Sequence, residues 1–299
     1  MSARSRFRLF KFPVKNQLHR FTRSKFGSFL FFAILISGGL FSVLPLVYCI
    51  TTSFKPLDEL LIFPPTLFTV KRPTIANYTA IPDLLSGLSV PITRYAFNSI
   101  FVSIIGTFLS VIISAMAAFV LSKTEMKFNK LIFTVVQFSL LFNVYTLSVP
   151  QYIVYSKIGI INTYLAYIVP AAASSMGVFL MKQYMDGYVP YALIEAAHID
   201  GAGWIGIFTR IVLPIVRPCV LTLVMFSFLG IWNSVPSGTI FSESLKTLPT
   251  VMSTIAAGGL ARSGSSMATS VILMIFPIAV YLISQGSIKE TMGSAGIKG

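Results

Sequence analysis

Residues 29–50 read FLFFAILISGGLFSVLPLVYCI, 22 positions without an Asp, Glu, Lys, Arg or His. A helix rises about 1.5 Å per residue and the hydrocarbon of a bilayer is roughly 30 Å thick, so this stretch can cross it. It exceeds the roughly 7–15 apolar residues of a secretory leader. The residues after it, Thr51-Thr52-Ser53-Phe54-Lys55-Pro56, offer no small-residue cleavage site. The reading is therefore a retained first membrane helix.

The rest of the chain agrees. Of 299 residues 55% are hydrophobic and 11% charged, against about 25% charged in soluble domains, whose surface must face water. Lipid is the expected solvent. Five further segments have span length: 96–122, 131–149, 163–181, 218–235 and 266–284. All 32 formally charged residues lie outside the six. The expected fold class is an all-α integral membrane protein with six transmembrane helices. Cys49 and Cys219 both fall in spans, without metal-ligand spacing, and read as packing residues.

The net charge of +14 raises the question of nucleic acid, and its distribution answers it. Eight of the 23 basic residues precede residue 28 with no acid among them, which is how the cytoplasmic flank of a first span looks. No nucleic-acid partner is expected, and membrane lipid is. With an even number of spans both termini are expected in the cytoplasm, and that side then holds 16 of the 23 Lys and Arg. Four parts follow: a basic tail over 1–28, the first helix and a Pro-rich external loop over 29–94, a membrane core over 95–285 with a cytoplasmic loop at 182–217, and a tail over 286–299. The loop 51–94 carries six prolines, so it is expected to be an irregular lid with one interfacial helix near Asp58–Phe63.

The cytoplasmic loop holds the informative pattern: Val189-Pro190-Tyr191-Ala192-Leu193-Ile194-Glu195-Ala196-Ala197-His198-Ile199-Asp200-Gly201-Ala202-Gly203-Trp204, then Ile211-Val212-Leu213-Pro214. Pro190 suits a first helical turn, and most of Leu193–Ala197 are good helix formers. Gly201 and Gly203 accept the positive φ of a sharp exit. The pattern predicts a short helix, a glycine joint and a second helix leading into a span. Such a helix either docks into a partner's groove or lies on the headgroups.

Glu195-Ala196-Ala197, three residues, Gly201, nine residues and Ile211-x-Leu213-Pro214 resemble the signature of ABC importer permeases at every fixed element. In that family the loop is the coupling helix, seated in a cleft of the ATP-hydrolysing subunit. The resemblance assigns Glu195, Ala196, Ala197, Asp200 and Gly201 to ATPase coupling and implies a type I ABC importer permease fold. Ser53-Phe54-Lys55-Pro56, Glu59, Pro64-Pro65, Pro73-Thr74 and Asn77-Tyr78 are similar to the external loop of maltose-type carbohydrate permeases. Asn98-Ser99, Thr247-Leu248-Pro249, Gln285 and the terminal Gly296-Ile297-Lys298-Gly299 fit the smaller permease of that group. His198 departs from it, standing where the family usually has Arg or Lys, as do the offsets of the glycines before Lys298-Gly299.

What the resemblance implies is a bacterial inner-membrane subunit that is not itself an enzyme. Its partners are a second homologous permease, a dimer of ATPase subunits, an extracytoplasmic solute-binding protein and a sugar, with an oligosaccharide the leading class. No Gly-x-x-x-x-Gly-Lys-Ser/Thr loop occurs, and the histidines are His19 and His198 alone. No catalytic or metal residue is assigned, and no cofactor is expected in this chain; ATP and Mg belong to the partner. Asn98, Gln137, Asn143, Tyr145, Trp232 and Asn233 are candidates for the substrate path, as hydrogen-bonding or stacking groups, or else join helices together. Trp232, Tyr152 and Tyr155 also suit an aromatic belt. Rival readings are an ABC permease for another solute, an ion-coupled secondary transporter and a membrane scaffold. Charge-free spans and the lack of an internal repeat oppose the second.

Overall fold

A computed structural model describes residues 25–63, 66–87, 90–236 and 238–295, with the side chains of 25, 144, 145, 260 and 287–295 outside the description. The described residues form helices and no strand. In chain order they are α1 (Lys25–Ser53), α2 (Leu57–Leu60), α3 (Ala76–Leu85), α4 (Ile92–Lys123), α5 (Asn129–Ser139), α6 (Val144–Lys157) and α7 (Leu165–Ala172). There follow α8 (Ser175–Tyr188), α9 (Tyr191–Ile199), α10 (Trp204–Ile207), α11 (Leu213–Ile215), α12 (Arg217–Trp232), α13 (Leu248–Ala256) and α14 (Ser263–Ala295).

The chain divides into two units, 1–47 and 48–299. In the first, the large side chains of Phe29, Phe32, Ile34, Leu40 and Phe41 are all more than half exposed, as expected of a helix apolar on every face and solvated by lipid. The basic tail up to residue 24 lies outside the described residues.

In the second unit α4 is central and packs along α7, α8 and α12. Its buried face repeats small residues every three or four positions: Ser99, Ser103, Gly106, Ser110, Ser114, Ala118 and Ser122. Small side chains let helix backbones approach where no hydrophobic force drives them together. A Cβ on Gly177 of α8 would lie 2.4 Å from Ser114 Oγ, so these two helices meet at backbone distance.

Among the described residues, four helical stretches are long and apolar enough to span a membrane: Phe26–Ser53, Ile92–Lys123, Leu165–Tyr188 and Ser263–Gly286. The pair Trp204–Ile215 and Arg217–Trp232 is apolar enough only when taken together, and is bent by 82°. The segment expected as one helix over 131–149 is instead two, α5 and α6, broken at Leu140–Asn143. Ser139 Oγ turns back to the Val136 carbonyl at 2.6 Å. The Asn143 carbonyl accepts from the amides of Thr146 and Leu147 and so starts a new helix, a role Asn fills better than a helix interior. At the other end of the chain α14 continues to Ala295, so most of the expected tail from 286 is helical.

The described part of the loop over 51–94 is more ordered than its prolines suggested, and contains α3 as well as α2. Asn77 Nδ2 donates to the Ser53 and Lys55 carbonyls, both at 2.8 Å. The hydroxyls of Ser53 and Tyr78 are 2.8 Å apart. Buried Glu59 accepts from the amides of Lys71 and Arg72. Pro82 removes one donor from α3, yet Ile81 and Leu85 are buried against Leu248, Val251 and Ile255 of α13. Apolar burial of this kind stabilises by about 1.5–3 kcal/mol per large side chain, enough to offset one missing hydrogen bond.

Candidate functional site

The helix expected in the 182–217 loop is α9. Pro190 precedes it as N-cap, one position earlier than the sequence suggested, with φ −66° and ψ 143°. Two bonds close its exit: the Gly201 amide donates to the His198 carbonyl at 3.0 Å and the Ala202 amide to the Ala197 carbonyl at 2.9 Å. That pair of bonds is the Schellman motif, which needs a left-handed residue, and Gly201 has φ +80°.

Ile194 and Ala197 point into a core with Phe119, Met185, Ile207, Val212 and Val216. The other face holds Glu195, Ala196, His198 and Asp200, all exposed. Ile199 at 86% and Ile205 at 81% exposure stand beside them. His198 meets Trp204 edge-on with ring centroids 4.3 Å apart, and Trp204 in turn meets Phe119 of α4. The departure from the family pattern is thus a packing contact between α9 and α10. The arrangement is a short rigid helix with one anchored face and one free face of mixed acidic and apolar character.

Residues of α4, α6, α7 and α12, with the start of α8 and the chain after α12, line a half-open cavity of about 700 Å³. Its polar lining includes Ser110, Gln151, Tyr155 and Ser227, and none of its described lining residues is Asp, Glu, Lys, Arg or His. Ser110 and Ser227 hydroxyls are 3.1 Å apart, and Gln151 Nε2 donates to the Tyr155 hydroxyl.

The substrate-path residues picked from the sequence do not gather here. Asn98 is fully buried, donates to the Ser244 and Lys246 carbonyls and accepts from the Tyr164 hydroxyl at 2.7 Å. It joins α4 to the chain leading into α13. Trp232 is 2% exposed, stacks on Phe228, meets Phe276 at a tilt, and donates Nε1–H to the Leu273 carbonyl at 3.2 Å. It is a core residue between α12 and α14, not part of a belt. Asn233 is exposed and turns its amide back to the Leu229 carbonyl. Gln137 is exposed on α5, and Asn143 lies in the break before α6. The side chain of Tyr145 lies outside the described residues.

Instead α6 lines the cavity with Ser148, Gln151, Tyr152 and Tyr155. The two tyrosines read as belt residues from sequence, yet Tyr155 is 7% exposed. A signal existed: these four residues recur at i, i+3, i+4 and i+7, a polar stripe on one helix face.

No family model matches the chain. It is 28% identical over 277 residues to the sulfoquinovosyl glycerol transport system permease protein SmoH of Agrobacterium fabrum, covering 91% of this chain and 93% of that one. It is 29% identical over 266 residues to the arabinooligosaccharides transport system permease protein AraQ of Halalkalibacterium halodurans, covering 86% and 92%. A solved bacterial ABC transporter involved in the import of the acidic polysaccharide alginate shares the fold, with a TM-score of 0.71 over 89% of this chain and 99% of that one at 16% identity. With likeness to permeases along nine-tenths of its length, the same fold, and the Glu195–Gly201 helix in place, this chain belongs to the permease subunits of ABC importers.

Proposed function

We propose that this chain forms half of the path by which a sugar enters a bacterial cell, with both termini and α9 in the cytoplasm. A second, homologous permease forms the other half. Two ATPase subunits, which carry ATP and Mg, take α9 in a surface cleft, and an external sugar-binding protein delivers the solute. Closure of the ATPases on ATP moves α9 and switches the path between inward- and outward-facing states. The observation that carries this reading is α9 itself: anchored through Ile194 and Ala197, it holds Glu195, Asp200 and Ile199 outward for a partner. The relatives named for sulfoquinovosyl glycerol and arabinooligosaccharide support a carbohydrate as solute. The cavity supports it too, since hydroxyl, amide and aromatic groups without fixed charge suit sugar hydroxyls and ring faces.

Affinity purification of this chain from its native membrane tests the assembly. A separate ATPase and a second permease are expected in stoichiometric amounts. Purification of the chain alone, under conditions that preserve other complexes, would contradict the proposal.

A further inference from the structure

Lys123, the last residue of α4, is 4% exposed. Its Nζ donates to the Val189 carbonyl at 2.7 Å and lies 4.7 Å from the centre of the Tyr191 ring. Tyr191 returns the contact, donating its hydroxyl proton to the Ser122 carbonyl at 2.5 Å. Next to this exchange, Asp186 of α8 accepts from Ser122 Oγ at 2.5 Å and from Lys182 Nζ at 2.6 Å. Lys182 also lies 4.4 Å from the centre of the Phe133 ring on α5.

The link between α8 and α9 is only Val189 and Pro190, both extended. Pro190 has no amide proton to give, and the Val189 carbonyl is turned to Lys123. Side chains of α4 therefore help to fix the direction in which α9 leaves the bundle, beside the packing of Ile194 and Ala197 in the core. Burying an ammonium is costly unless it is well partnered. Here α4 and α8 both end at it, so the negative poles of two helices converge on one cation. Nothing in α9's helix formation requires this charge, since α9 is closed by its own backbone bonds.

From Lys123, α4 runs without interruption back to Ser110 in the cavity wall, about 20 Å at the rise of a helix. We infer that Lys123 is a positioning residue that clamps the base of α9 to α4, so that displacement of α9 is passed along α4 to the cavity instead of being absorbed at the two-residue link. The inference rests on the coupling role proposed for α9.

The test uses the complete importer in proteoliposomes, with Cys49 and Cys219 replaced and a reporter Ser227→Cys in the cavity wall. Two quantities are read: ATP hydrolysis, and the change in maleimide labelling rate at position 227 when ATP and vanadate are added. In the parent we expect labelling to change at least about fivefold, the lower end of a typical coupling between sites. Lys123→Met should keep ATP hydrolysis and lose that change, and Lys123→Arg should restore most of it. A role in stability alone would lower hydrolysis and labelling response together and leave their ratio at the parent value, which overturns the inference. If Lys123→Met does not assemble, Tyr191→Phe decides: it keeps the ring and deletes the bond to Ser122, and a parent-like ratio would again overturn the inference. No labelling response in the parent would instead contradict the coupling role of α9.

Discussion

Asn98 on α4 and Lys246, just before α13, are joined by a side-chain amide donating at 2.9 Å to a main-chain carbonyl. The same amide reaches the Ser244 carbonyl, and the neighbouring Ser99 hydroxyl accepts from the Leu248 amide at 2.7 Å. Asn98-Ser99 and the segment 244–248 therefore form one lock. Asn98→Leu should cost about 1–3 kcal/mol by leaving two part-buried carbonyls and the Tyr164 hydroxyl without their partner. Thermal unfolding in detergent would register it as a lower midpoint. A stable Asn98→Leu protein with a raised KM for sugar uptake would make Asn98 a substrate contact instead.

Gly177 and Ser114 set the distance between α8 and α4. Gly177→Ala puts a methyl where Ser114 Oγ already stands, and overpacking of this kind costs about 1–3 kcal/mol. Gly206→Ala on α10 meets nothing within 4 Å, and replacing a helical glycine there should be neutral or stabilise by roughly 0.5–1 kcal/mol. Opposite signs in the two unfolding midpoints are expected. Equal midpoints would mean that α8 does not pack on α4 this closely.

The exit of α9 isolates a backbone effect, because a Cβ at Gly201 would meet no atom within 4 Å. Gly201→Val should still misdirect α9, since positive φ strongly disfavours a β-branched residue. Gly201→Asn should be far milder, as Asn tolerates that conformation. Glu195→Ala leaves the fold intact, its side chain being exposed. Both Gly201→Val and Glu195→Ala are expected to insert and pair with the second permease while holding the ATPase weakly or without coupling. Normal assembly and normal uptake in both would reduce α9 to a surface helix.

In the cavity, Gln151→Ala and Tyr155→Phe remove polar groups from its wall without introducing charge. Uptake assays should show KM raised several-fold, on the scale of about one hydrogen bond each, with ATP hydrolysis retained. Unchanged KM and kcat in both would place the path elsewhere.

What could be read from the sequence follows from which forces are local. A run such as 29–50 reports lipid through composition alone, and Gly201 reports a helix exit through its conformational freedom. The break in 131–149 was hidden because Leu140–Phe142 are as apolar as their neighbours, and only the carbonyl of Asn143 shows where a new helix begins. The two uses of a polar or aromatic residue inside a span are indistinguishable in sequence for a related reason. Asn98 and Trp232 looked available for substrate because their partners, the carbonyls of Lys246 and Leu273, are 148 and 41 residues away. Tyr155 looked like a belt residue because a tyrosine near a span end has two uses that differ only in which face of α6 it occupies. Order in the loop 51–87 was underestimated because the prolines are visible in sequence, whereas the bonds of Asn77 to the Ser53 and Lys55 carbonyls appear only once the chain is folded.

The central claim is that this chain passes a sugar under the control of a separate ATPase. Its most direct test is uptake of labelled neutral di- and trisaccharides into proteoliposomes holding the purified complex and its binding protein. The account predicts uptake that needs ATP on the α9 side, stops when the ATPase is inactivated, and is indifferent to ionophores that collapse proton and sodium gradients. Uptake that proceeds without ATP and disappears with the ion gradient would contradict it.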